Sequence, residues 1–321
     1  MTPESLPIAD LALVGTTSAG KSTLANAIAC RWVLAFSVQE TTRGIVDLHL
    51  TVQKGGGTRK TRNEAEQESP LRGKTGEVHI REIVRPRRGL VQRLGVGGFV
   101  SVIRRPEFLL RDTPGIVTGM DRSRLDGVVA AVSRSRVSVV LLSAEETDRK
   151  KKEALVRAAL KGVADSGGDL LWVISRADAF LRDGPEALKN HRRDLAALVA
   201  DAGGSVDVDG KIFIAVSPRP AFLATVLSFG AKADDAVDLW RWVRDDISLH
   251  KLNARYGRRD PSTWSLSRRV FAIRALWKAS GVAALDRAVD RHLSTRWPSA
   301  RWQRLSTSAG SAEPGISGAL P

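Results

Sequence analysis

Nine residues near the N-terminus constrain this chain most: Gly15-Thr16-Thr17-Ser18-Ala19-Gly20-Lys21-Ser22-Thr23. They satisfy the pattern G-x-x-x-x-G-K-[S/T] in full. Residues 8–14 (IADLALV), just before them, form a short apolar run, and residues 21–31 read as a helix. A buried strand, a glycine-rich loop and a helix in that order form a P-loop. The spacing follows from phosphate chemistry. Glycines let main-chain N–H groups curl around a phosphate with no Cβ in the way. The helix turns its positive end toward that anion. Lys21 then reaches the outer phosphate oxygens, and Ser22 offers a hydroxyl to Mg²⁺. Gly15, Thr17, Ser18, Ala19, Gly20, Lys21, Ser22 and Thr23 are therefore the expected phosphate-binding residues.

The rest of the chain fits around that loop. Apolar runs at 137–143 (VSVVLLS), 169–175 (DLLWVIS) and 211–216 (KIFIAV) read as buried strands. Residues 45–52 alternate apolar and polar, and residues 107–111 form another strand. Helical periodicity marks 150–162 and 185–202. Apolar strands alternating with amphipathic helices predict an α/β fold of the P-loop NTPase kind, with a mostly parallel sheet flanked by helices. Strand pieces are also expected near 78–84 and 99–103. After Ser217 the chain reads as helical, with apolar residues at helical spacing over 236–247, 270–277 and 285–293. The expected organisation is a core over 1–230 with a basic insert at 53–105, a helical part over 231–300 closing it, and a Ser/Gly/Ala/Pro tail over 301–321 without fixed structure.

Further segments then point to guanine. Thr41-Thr42-Arg43 precedes the second strand, where the Thr42 hydroxyl can complete a Mg²⁺ shell. Asp112-Thr113-Pro114-Gly115 follows a strand as D-x-x-G: Asp112 holds a Mg²⁺-bound water and the Gly115 N–H bonds the γ-phosphate. Ser175-Arg176-Ala177-Asp178 follows LLWVI where N/T-K-x-D reads the base. The Asp178 carboxylate would accept from guanine N1–H and its amine, which discriminates sharply against analogues. Ser175 and Arg176 depart from that pattern, and the Arg176 plane can stack on the base. Ser217 sits where the last base-contacting loop belongs. The expected ligands are GTP or GDP with Mg²⁺.

These residues resemble the dynamin superfamily, in particular the bacterial dynamin-like GTPases. The form G-x-x-S-x-G-K-S over Gly15–Ser22, the 42 − 21 = 21 residues from Lys21 to Thr42, the Thr42-Arg43 pair, Pro106 leading into FLLRDTPG, and the segment SGVAALDRAVDRHL (280–293) carry the likeness. It implies a GTP phosphohydrolase lacking the water-orienting glutamine that other GTPases place after D-x-x-G; that position is Ile116. It further implies that Ser18, Lys21 and Thr42 are catalytic, with K⁺ or Na⁺, when two G domains face each other. Dynamin has a glutamine where this chain has Thr17. Dynamins continue into a long helical stalk and a lipid-binding tip, which has no counterpart here, so the resemblance implies self-association through G domains, a stalk-bearing dynamin-like partner, a reduced paralogue or a free-standing switch.

Charge bears on partners. The formal net charge is +15, with 50 Lys+Arg against 35 Asp+Glu. Arg81, Arg85, Arg87, Arg88, Arg93, Arg104 and Arg105 cluster in the insert, which reads either as a solvated loop or as an electrostatic surface for anionic lipid or RNA. Aromatic residues are not interleaved there, which disfavours nucleic acid. A single cysteine, Cys30, excludes a disulfide-stapled fold and a cysteine zinc site. The N-terminus has no basic region before an apolar core, so a cytoplasmic location is expected, peripheral to the inner membrane face at most. Two alternatives stand beside the dynamin-like reading. One is an Era-like GTPase acting on RNA or ribosomes. The other is a catalytically weak nucleotide-binding subunit of a partner.

Overall fold

The structure, a computed structural model, describes residues 9–30, 33–34, 45–52, 78–85, 107–116, 122–181, 184–205, 212–229 and 263–294. The expected elements at 99–103 and 236–247, and the tail, lie outside them.

Among the described residues, seven strands form one sheet in the order β3-β2-β4-β1-β5-β6-β7. They are β1 (Ala9–Gly15), β2 (Ile45–Val52), β3 (Val78–Arg85), β4 (Glu107–Asp112), β5 (Ser135–Ser143), β6 (Asp169–Ser175) and β7 (Ile214–Val216). Every adjacent pair is parallel except β2 against β4. β5 and β6 are nearly continuous apolar runs because both of their faces are covered. The last strand is shorter than the sequence suggests: Lys211 lies outside the described residues, and pairing covers only Ile214–Val216.

On one face, Leu11, Leu13, Val139, Leu141 and Val173 pack with α1 (Lys21–Ala29), α5 (Pro218–Phe229), α6 (Leu266–Ser280) and α7 (Val282–Ser294). On the other, Val14, Val140, Leu142, Trp172 and Ile174 pack with α2 (Arg122–Ser133), α3 (Arg149–Ser166) and α4 (Pro185–Asp201). Side chains alternate in direction along a strand, so β1, β5 and β6 each supply both cores. Helix α3 is capped by Asp148, whose carboxylate accepts from the Lys151 N–H, and it ends at the left-handed Gly167. The C-terminal helices α6 and α7 share the first core with β1 and α1, so this end of the chain completes the sheet's cover.

Candidate nucleotide-binding site

β1 and β4 run parallel, with Leu13 opposite Asp112, so the loops leaving their C-terminal ends lie side by side. Ligands of open α/β sheets bind at this edge. Gly15 ends β1, and a Cβ there would come within 2.8 Å of the Leu141 carbonyl oxygen. Gly20 caps α1 at φ 84°, and its missing Cβ leaves room for the Pro218 ring, which would otherwise lie 2.9 Å away. Ser18, between them, is exposed and also left-handed, at φ 62°. A non-glycine residue there stores strain, of order 1 kcal/mol, of the kind found at ligand clamps.

Lys21 is buried and folds back over the loop, its Nζ donating to the carbonyls of Gly15 (3.3 Å) and Thr16 (3.0 Å). The buried Ser22 Oγ donates to Asp112 Oδ2 at 2.8 Å. The first loop and the D-x-x-G turn are thus joined at the residues expected to hold phosphate and metal. Several more bonds stitch them together. Thr113 Oγ1 donates to the Leu13 carbonyl at 2.9 Å. The Ile116 carbonyl accepts from Thr17 twice, from its N–H at 3.0 Å and its hydroxyl at 3.1 Å. A Cβ at Gly115 would sit 2.6 Å from Thr17 Cα, so only glycine permits this approach. Ile116 itself is buried in the second core. Ser22, at the start of α1, and Asp112, at the end of β4, are hard oxygen donors, which is a set that suits Mg²⁺.

The residues expected to meet the base lie beyond β6. Ser175 is buried at its terminus, and Arg176 takes φ 56°. A 3-10 turn over Ala177–Leu181 follows and carries the half-buried Asp178. The Asp178 N–H donates to Ser217 Oγ at 3.2 Å, and the Ser217 N–H donates to the Ser280 carbonyl at 2.8 Å. Pro218, next to Ser217, touches the Gly20 position, so one dipeptide spans both ends of the site. The Arg176 guanidinium forms an ion pair with Glu145, just past β5. Behind the turn, the Phe180 and His191 rings lie 4.7 Å apart. Burial, then the nearby Lys152 charge, lowers the His191 pKa from 6.5 to about 4, with Asp194 opposing. Lys152 is buried as well; burial lowers its pKa, against Glu146 and Asp194.

The fold thus brings Gly15, Thr17, Ser18, Lys21, Ser22, Asp112 and Gly115 together, and sets Ser175, Arg176, Asp178 and Ser217 in a second cluster. Thr42 and most of the arginine cluster lie outside the described residues. Of that cluster, Arg81 and Arg85 fall in β3. Sequence reasoning missed Glu145, Pro218 and the Ser280 carbonyl. Pro218 carried no local signal, and Ser280 entered only as the first residue of the segment 280–293 that carries the family likeness. An open groove of about 490 Å³ lies elsewhere, between α2 and α3, lined by Leu125, Val129 and Ala154 among others. Among the described residues, no helix is long and apolar enough to cross a membrane.

Parallel strands, a P-loop and a D-x-x-G turn clasped to it define a G domain of the P-loop class. Residues 11–162 match the model of the dynamin family, and this stretch is a dynamin-superfamily G domain. At family level it is a GTP-binding GTPase domain. Two solved structures are similar at low identity. One is an Aquifex aeolicus Era point variant bound to GDP and AlF4⁻, at 15% identity and TM-score 0.38, covering 66% of this chain and 52% of that chain. The other is Era in complex with MgGDPNP and nucleotides 1506–1542 of 16S ribosomal RNA, at 16% identity and TM-score 0.37, with coverage of 66% and 52%. This chain therefore spans about half the length of each (52%). No curated protein matches it.

Proposed function

We propose that this domain binds GTP with Mg²⁺ and hydrolyses it, and that hydrolysis is stimulated when two such domains face each other. One observation carries the reading: the buried 2.8 Å hydrogen bond from Ser22 to Asp112, beside a lysine folded onto the loop. Lys21 exchanges its two carbonyl partners for β/γ oxygens when nucleotide enters. Ser22 binds the metal directly, Asp112 through water, and Thr42 is assigned to the same shell. The metal, when bound, neutralises charge on the outer phosphates. Main-chain amides of the 15–23 loop hold the β-phosphate, and the Gly115 N–H meets the γ-phosphate. Asp178 accepts from guanine, with Ser175, Arg176 and Ser217 shaping its loop.

Ile116 is buried and apolar and cannot orient water. The exposed, left-handed Ser18 supports a different arrangement, in which a facing domain and K⁺ or Na⁺ complete the site. A stalk-bearing dynamin-like partner would suit the same contact. The +15 charge supports docking on the anionic inner face of a membrane from the cytoplasm, more than on nucleic acid. The Ile116 position also favours a second reading, a slow nucleotide-binding subunit. GTP turnover per molecule, followed across protein concentration in Mg²⁺ with K⁺ or with Na⁺, separates the two. Facing domains predict a rate that climbs with concentration and responds to the cation. A rate flat in both leaves the slow subunit.

A further inference from the structure

Arg111 immediately precedes Asp112, and its side chain is fully buried with that of Asp47. The contact is bidentate, Nε to Oδ1 and Nη2 to Oδ2, both at 2.7 Å. The two residues face each other across the antiparallel β2–β4 pair. The third guanidinium nitrogen, Nη1, donates to the Arg134 carbonyl at 3.4 Å, just past the last residue of α2. A cation is favourable at that negative helix end. At the other end of α2, Arg124 Nη1 donates to the Gly115 carbonyl at 3.0 Å. A closed circuit results: Asp112, the turn to Gly115, Arg124, the length of α2, Arg134, and Arg111 beside Asp112 again.

Stability alone does not account for the pair. Burying two charges costs about as much as their attraction returns, and a well-packed apolar pair often holds a core equally well. What an ion pair adds here is register and direction. Slipping β2 by one residue would turn Asp47 to the other face and strand the guanidinium. We infer that Asp47 and Arg111 are positioning residues: they fix the base of Asp112 and the C-terminal end of α2, so that movement of the D-x-x-G turn swings α2 about a held end. The inference rests on the GTP–Mg²⁺ reading of the Ser22–Asp112 site.

The test replaces the pair by apolar residues of similar size, Asp47→Leu with Arg111→Met, in the full chain. Calorimetry compares GDP and a non-hydrolysable GTP analogue, each with Mg²⁺, in wild type and variant. A structural role alone predicts unchanged discrimination between the two nucleotides. The positioning role predicts a melting temperature within about 4 °C of wild type. It also predicts GDP affinity within about threefold, and a loss of about tenfold in the preference for the GTP analogue, the size of a typical coupling between sites. Unchanged discrimination in the folded variant overturns the inference while leaving the site reading intact. Absence of Mg²⁺-dependent binding in wild type overturns the site reading first, and this inference with it. Should the double variant not fold, Arg111→Lys, which keeps the charge beside Asp47 but gives up the two-pronged contact, carries the same comparison.

Discussion

The two ends of the nucleotide site are built in opposite ways. The phosphate end comes from two short loops, and most of its bonds run directly between them: Ser22 to Asp112, Thr17 to Ile116, Thr113 to Leu13. The base end draws on three segments in series, and its order is relayed: Asp178 is held by Ser217, which is held by Ser280. One end is a clasp, the other a stack of supports. Phosphate recognition needs main-chain amides and one fixed cation, which local sequence can supply. Base recognition needs a carboxylate at a set height above β6, and only tertiary packing sets that height.

The strongest way to break the comparison uses two glycines. Gly115→Ala drives a methyl into the Thr17 backbone and should cost about 3 kcal/mol, in the range of overpacked or strained sites. Gly281→Ala combines φ 70° with collision against the Ala215 carbonyl, and should destabilise by at least about 3 kcal/mol as well. Thermal melts check both. The contrast lies in function: at temperatures where both variants are folded, Gly115→Ala loses Mg²⁺-GTP binding, whereas Gly281→Ala keeps triphosphate affinity and loses choice of base. Equal damage to both properties in both variants would erase the distinction between clasp and stack.

Asp178→Asn acts more narrowly. Removing one charged acceptor should lower the preference for GTP over ATP by about 10–100-fold, the worth of a charge-assisted hydrogen bond. Competition binding with the two nucleotides measures it. The smallest effect concerns pH. The His191 pKa of about 4 in the folded protein lies below its ordinary 6.5. Between those values the unfolded chain takes up a proton that the folded chain refuses, so stability declines as pH falls from about 6.5 toward 4. His191→Gln should flatten that part of a stability-against-pH curve measured by denaturant melts. Since Phe180 joins His191 to the turn carrying Asp178, guanine selectivity should fade only as pH nears 4, where the folded protein itself protonates His191.

What the sequence revealed follows the same division. The strand-loop-helix around Gly15–Thr23 was legible because spacing alone dictates it. The observed β1, β2 and β6 match the apolar runs closely. Helix α2 escaped reading: its run of Val128, Val129, Ala130, Ala131 and Val132 hides any period, and Gly127 interrupts it. The parallel pairing of β3 with β2 was also invisible, since a single strand's pattern does not say which way its neighbour runs. At the base end, Arg176 reads as a stacking residue, yet Glu145 holds its guanidinium. That pairing joins the ends of two neighbouring strands and leaves no trace in local spacing. Both residues are partly exposed, so the pair itself contributes at most about 1 kcal/mol.

Calorimetric titration of GTP into the full chain, with and without Mg²⁺ and alongside Lys21→Ala, tests the central assignment most directly. The clasp predicts heat of binding that strengthens with Mg²⁺, and a loss of about 100-fold or more in affinity when the ammonium is removed, since two or more charge-assisted hydrogen bonds go with it. Equal affinity for GTP in wild type and Lys21→Ala, or none in either, would contradict it.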